Sequence, residues 1–347
     1  MLKGWQMDWF EKLTGFRESD YPTTRAGLEV VNGKLRSRIN GKAYGIGKLE
    51  LVSLADLRRR AQGAMSPPLP STLTILRGDV RAMHRTPEHA GALFQVASQF
   101  NLLEMTGPMV TPEHGVTRYQ DDPTQGPACA IAAGAATIYR NYFAEVDGLD
   151  GQTHERQLDG LALVGTYLCN ALGKTQPALW HMRNGYAMCS RDGLALISAH
   201  LASLDPIQRD DLRALLCIGV HTNVQVTDLP PDSTSFVSQA FCSALPVAYA
   251  ENQNRGAQWA PFATLILEAA YEATLWAAVL NARHTGSRTV FLTRLGGGAF
   301  GNDDKWIHAA LRRALQLTKM AGLDIRLVSF GTPSVATLAL AAEFSLE

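Results

Sequence analysis

Short β-rich runs alternate with longer stretches of helical period along most of this chain. Leu73 to Leu76 predicts a strand running into Gly78-Asp79, and Ala92 to Ala97 a second strand that ends in polar residues. Ala128 to Phe143 predicts a helix so rich in Ala and Gly that it must pack closely against a neighbour. Helices follow at Leu158 to Leu172 and Gly193 to Leu204. Strand character returns in Leu215 to Thr227, before a loop over Asp228 to Ser235. The segment Pro261 to Asn281 is apolar nearly all round, which predicts a buried helix. A strand at Thr289 to Thr293, a loop at Leu295 to Asn302, a helix at Asp303 to Ala321 and a strand at Ile325 to Phe330 close the pattern. That helix is well marked: Asn302 can cap it, Asp303 and Asp304 suit its positive end, and Gly322 can end it. The alternation predicts an α/β fold whose largely parallel or mixed sheet is covered on both faces.

Residues 1–65 are mixed and turn-rich, with a strand at Lys48 to Val52 and a basic helix at Leu54 to Ala61. They read as an N-terminal cover packing on the core. Ser66-Pro67-Pro68-Leu69-Pro70 breaks the helix, because proline disfavours helix in the residue before it. The main domain is therefore expected over 66–347, with a helical insertion at about 145–212.

Composition narrows the function. Lys plus Arg and Asp plus Glu both number 32, so no bulk field draws the chain to nucleic acid or a membrane surface, and an anionic ligand must be bound locally. The start has no apolar signal-like core, and Glu268 and Glu272 interrupt the apolar stretch from Phe262 to Ala282. The expectation is a cytoplasmic protein without an anchor. Five cysteines without C-x-x-C spacing predict reduced thiols, and the nine histidines form no metal pattern, so no metal and no cofactor is expected.

The most specific chemical feature is Gly296-Gly297-Gly298-Ala299-Phe300-Gly301-Asn302, between a strand and a helix. Such a loop turns backbone N–H groups toward an anion at a helix N-terminus with no Cβ in the way, and its natural ligand is a phosphate or pyrophosphate. It formally matches G-x-G-x-x-G, but a dinucleotide fingerprint opens its domain and is followed by an acidic residue roughly 20 positions on. Here the next strand ends in Ser329-Phe330-Gly331. No Gly-Lys-Ser/Thr follows, so a P-loop fails as well.

The order of these segments resembles a macrodomain, the ADP-ribose-binding α/β/α fold. Thr74-Ile75-Leu76-Arg77-Gly78-Asp79-Val80 resembles the family's opening strand, and Ser98-Gln99-Phe100-Asn101 stands where an Asn-Ala-Ala-Asn type element usually does, matching only its second Asn. Thr124-Gln125-Gly126-Pro127-Ala128-Cys129-Ala130 resembles the first glycine-rich loop, Leu295 to Asn302 the second, and Leu327-Val328-Ser329-Phe330 the closing strand. The stretches FQVASQFNLLEM, YQDDPTQGP, LEAAYEATLWAA and LTRLGGGAFGN are most similar to the atypical, MavL-like ADP-ribosylhydrolases of bacterial effectors. The resemblance implies a three-layer α/β/α domain with a mixed central sheet. It also implies ADP-ribose as ligand or product, removal of ADP-ribose from arginine side chains, and a modified protein as partner, for which ubiquitin is a candidate.

It further implies that Asp79, with Val80 beside it, accepts from the adenine amino group and that Phe330 stacks on the base. Ser98, Thr124, Gln125, Gly126 and the loop Gly296 to Asn302 would hold the rest of the ligand. Asn101, Glu104, Asp121 and Asp122 are the catalytic candidates, since acids beside a glycosidic carbon activate water or stabilise an oxocarbenium-like transition state. Two other readings stand beside hydrolysis. One is a module that reads ADP-ribose without chemistry and has no use for Asp121, Asp122 and Glu104; the other is a nucleotide-sugar or NAD-processing enzyme on a different α/β fold.

Overall fold

The computed structural model describes residues 7–63, 68–230, 232–249 and 256–346. Ser66 and Pro67 of the expected boundary lie outside them. The central sheet has seven strands: β1 (Lys48–Ser53), β2 (Thr72–Arg77), β3 (Leu93–Ala97), β4 (Cys217–Gln225), β5 (Phe236–Cys242), β6 (Thr289–Leu292) and β7 (Asp324–Ser329). They lie in the order β1-β4-β5-β3-β6-β7-β2. From β5 to β2 every neighbouring pair is parallel, while β4 runs antiparallel to both β5 and β1.

Strand alternation decides which helices cover which face. Leu93, Val290, Leu292, Ile325 and Leu327 point into one core with helices α2 (Leu54–Gln62), α9 (Ala260–Thr285) and α10 (Asp304–Leu317). Phe94, Val96, Phe241 and Phe291 point into the other, against α3 (Val80–His84), α4 (Gln125–Ala132) and α5 (Gly134–Tyr142). The chain is thus the three-layer α/β/α fold with a mixed sheet that the resemblance implies. Residues 48–62 supply the edge strand β1 and the helix α2 of that sandwich. Ahead of them, α1 (Trp9–Thr14) and a three-stranded sheet of 28–45 form a separate small core with Ile131, Ile138 and Tyr142.

α9 is long and apolar enough to cross a membrane by length and composition, but it is mostly buried inside the protein. Its two acids are partnered: Glu268 accepts from Arg213, and Glu272 from Arg58 and Arg313. Burial works against the charge on Glu272, yet the two arginines outweigh it and lower its pKa.

Two elements differ from expectation. The helix expected over 128–143 is broken at Ala133 into α4 and α5, because Thr227 enters the gap: its Oγ1 accepts from Gly134 N at 2.8 Å and its N–H donates to Ala132 O at 2.9 Å. The strand β5, in a stretch for which the pattern above predicts no element, is a central strand of the sheet. Between Glu145 and Ala214 lie two small hairpins and the helices α6 (Ala162–Leu172), α7 (Arg191–Ser203) and α8 (Pro206–Ala214).

Candidate functional site

A cleft of about 500 Å³ opens at the carboxyl ends of the parallel strands, where Ala97 ends β3, Thr293 follows β6 and Ser329 ends β7. Crevices outside the carboxyl ends of such strands are where open α/β sheets bind ligands. One wall is the loop between β6 and α10, another the start of α4, and a third the β7 end bearing Phe330.

Within the glycine loop the four glycines divide by role. Gly296 and Gly301 have φ of +73° and +68°, and a Cβ there would stand 2.5 Å from Ala244 Cβ and 2.9 Å from Ala248 Cβ. A Cβ on Gly297 would meet Ile307 Cδ1 at 3.0 Å. These three serve the turn. Gly298 lies outside the left-handed region, and a Cβ there would meet nothing within 4 Å, because its open side is the cleft. Gly297 N donates to Arg294 O, Gly301 N to Gly298 O and Asn302 N to Gly296 O, whereas the amides of Gly298, Ala299 and Phe300 have no acceptor among the described residues. The loop therefore presents three consecutive uncommitted donors in residues that line the cleft. Asn302 is buried, with Nδ2 bonded to Leu245 O at 2.9 Å, so it locks the loop and does not line the cleft. The cap of α10 is Asp303, one residue later than expected.

The opposite wall begins with Asp122, half-buried, whose Oδ1 accepts from Thr124 N at 2.8 Å and so starts α4. Gly126 is required there, since a Cβ would lie 2.0 Å from Ala97 O. Gln125 is expected to contact ligand through its side chain, but that amide accepts from Ala97 N and donates to Gln95 O. What remains at this end is the pair of N–H groups on Gln125 and Gly126, at the first helical positions and without intrahelical acceptors.

The catalytic candidates are not gathered as a set. Asp122 lines the cleft and Asp121 is exposed outside its lining. Glu104 lies in its floor, with both carboxylate oxygens on Arg140 Nη2 at 3.0 and 3.3 Å and both side chains fully buried. Burial raises the Glu104 pKa to about 7 although Arg140 pulls it down. Asn101 is buried away from the cleft, accepting from Leu103 N at 3.1 Å and donating to Gln157 Oε1 at 2.8 Å. It shapes the turn in which Leu102 takes a φ of +63°.

At the β7 end Phe330 lines the cleft and is 84% exposed, so it fills no core. Asp79 caps α3 by accepting from Arg81 N at 2.9 Å and lies outside the lining, beside the rim where Gly78 N bonds Ser329 O. Val80, the first residue of α3, is buried in the core. Ser98 lines the cleft with its hydroxyl on Gln99 O. Tyr186 is a cleft residue that the sequence reading does not single out: it packs with Tyr249 and with Phe300 of the expected loop, the three centroids 5.2 to 5.7 Å apart. Tyr186 comes from a hairpin of the insertion and is held by its hydroxyl on Met105 O, so only its aromatic character was visible in the sequence. Among the described residues, no cluster of three or more His, Cys, Asp or Glu forms a metal site.

No family model and no curated protein matches this sequence. Among solved structures it is similar to the poly(ADP-ribose) glycohydrolase of Thermomonospora curvata, at 13% identity over 90% of this chain and 93% of that one, with a TM-score of 0.40. The same enzyme bound to the inhibitor ADP-HPD gives 14% identity over 90% and 93%, with a TM-score of 0.42. The Deinococcus radiodurans enzyme in complex with ADP-ribose gives 14% over 86% and 94%, with a TM-score of 0.44.

Proposed function

We propose that the cleft binds ADP-ribose and that the chain hydrolyses the bond joining ADP-ribose to a modified protein side chain, arginine in preference to serine. The observation that carries this reading is the pairing, across one cleft, of three uncommitted loop amides at Gly298 to Phe300 with the carboxylate of Asp122. Amide donors suit a diphosphate; a carboxylate does not. Its place in the same cleft is explained if it faces the anomeric carbon, where positive charge develops as the glycosidic bond breaks. Water then adds to that carbon, and the guanidine leaves with a proton as guanidinium.

Asp122 is the catalytic candidate under this reading. Glu104, fixed by Arg140 under the start of α4, is a positioning residue, and Asp121 and Asn101 stay outside the chemistry. Phe330 takes the adenine face, with Asp79 at the neighbouring rim. Tyr186, Tyr249 and Phe300 offer ring faces to a departing cation, which favours an arginine linkage. The chain is then a hydrolase needing no cofactor, akin to the MavL-like group, and ubiquitin remains a candidate acceptor protein. The test is incubation with proteins carrying arginine-linked or serine-linked ADP-ribose and timed detection of free ADP-ribose. Faster release from arginine is expected. Binding of ADP-ribose without release from either substrate would replace the enzyme with a reader module.

A further inference from the structure

A second and larger cavity, about 870 Å³, lies between the N-terminal segment and the helical layer that carries α3 and α4. It reaches Ile131, near the end of α4, whereas the cleft reaches no further along that helix than Pro127, so the two linings share no residue and lie about 6 Å apart along its axis. Its charge is lopsided in a chain whose total is balanced: Lys12, Lys42, Arg81 and Arg85 line it against the single carboxylate of Asp228. Arg81 satisfies that carboxylate with bonds of 2.7 and 3.0 Å from Nε and Nη2. Arg85 stands 3.8 Å from it, and the ammonium groups of Lys12 and Lys42 have no acceptor among the described residues. Among the described residues, Lys12 and Lys42 therefore remain without an acceptor, and Arg85 holds only a long contact to a carboxylate that Arg81 already satisfies. The lining also carries Trp9 and Tyr44, both half-buried, and the Tyr44 hydroxyl has no partner among the described residues.

We propose that this cavity is a second binding site, for a nucleoside polyphosphate, with Lys12, Lys42 and Arg85 on the phosphates and Trp9 and Tyr44 beside the base. Its volume is that of a small-molecule pocket. Clustered cations that outnumber the one carboxylate, two of them without an acceptor among the described residues, select a multiply charged anion, and two aromatic side chains among them favour one with a flat ring system. An acidic peptide would use the cations and leave the rings unused. Its lining is separate from that of the cleft, and it gives the N-terminal segment a role, since Trp9, Lys12, Lys42 and Tyr44 all come from it.

The test is calorimetry with ADP, pyrophosphate and adenosine on the full chain, in a Gly298→Val background that closes the cleft loop. ADP is expected to bind with one equivalent, more tightly than pyrophosphate or adenosine, and to weaken several fold between 50 and 200 mM salt. Adding Lys12→Ala, Lys42→Ala and Arg85→Ala, all at exposed positions, should weaken ADP at least tenfold with the near-ultraviolet spectrum unchanged. The proposal is overturned if the Gly298→Val protein binds no ADP, if the charge substitutions leave binding as it was, or if a polyglutamate peptide displaces ADP at lower concentration. Failure of the cleft reading looks different: ADP-ribose would bind the wild type and the Gly298→Val protein with the same affinity.

Discussion

Replacing Gly298 by Val should abolish tight ADP-ribose binding while leaving the fold intact. A Cβ at this position meets nothing within 4 Å and the backbone is outside the left-handed region, so the substitution should cost less than about 1 kcal/mol of stability, as at ordinary surface positions. The new isopropyl group projects into the space a diphosphate needs in order to reach the amides of Gly298, Ala299 and Phe300. Hydrogen bonds to a charged acceptor are worth about 1.5–3 kcal/mol each, so losing two of them weakens binding by about 3–6 kcal/mol, at least a hundredfold. Gly296→Val is the control. It puts a branched residue at φ +73° with Cβ 2.5 Å from Ala244 Cβ, and should lower the melting temperature sharply. Calorimetry with ADP-ribose and thermal melts on the two variants separate loop geometry from ligand contact. Unchanged ADP-ribose affinity in a folded Gly298→Val protein would refute the reasoning.

Asp122→Ala should retain ADP-ribose affinity within a few fold and lose at least a hundredfold in release rate, because the carboxylate acts on charge that appears only in the transition state; single-turnover kinetics read both. Phe330→Ala should weaken ADP-ribose about tenfold by loss of stacking worth about 1–3 kcal/mol, with no change in melting temperature, since the ring is 84% exposed. Arg140→Met leaves Glu104 buried without its partner and should cost about 3–5 kcal/mol in denaturant unfolding. Glu104 titrates near pH 7 in the folded protein, above its unfolded value. Its contribution is therefore fully present below about pH 4.5 and lost as pH rises through 7, and Glu104→Gln should flatten that slope in urea midpoints. His84 is the opposite case: burial lowers its pKa to about 4, so its contribution is present above pH 6.5 and lost as pH falls through 4. Its ring resonances should show the neutral form down to that range.

The sequence carried the parallel half of the sheet well, because β2, β3, β6 and β7 are short apolar runs punctuated by turn residues. β5 was harder to read: FVSQAFC is buried on both faces and shows no alternation to separate strand from packed turn. The break between α4 and α5 was invisible for another reason, since it depends on Thr227, more than 90 residues from Gly134 in the chain. The same limit applies to the site. That Gly296 to Asn302 forms a tight loop between a strand and a helix follows from residue types alone, but which glycine faces the cleft follows from φ values and from Ala244 and Ala248. Glu104 and Asp122 look alike in sequence as acids near a glycine loop. Arg140, 36 positions from Glu104, binds one of them into the floor and leaves the other at the wall. Gln125 lost its expected side-chain role to Gln95 and Ala97, and Tyr186 entered the cleft from an insertion whose pattern predicts only helices.

The most direct measurement of the central claim is a crystal structure of the full chain with ADP-ribose. The account predicts diphosphate oxygens within about 3.2 Å of the amides of Gly298, Ala299 and Phe300, adenine against Phe330, and the Asp122 carboxylate facing the anomeric carbon. ADP-ribose bound away from the glycine loop, or bound there with Asp122 turned from the ribose, would contradict it.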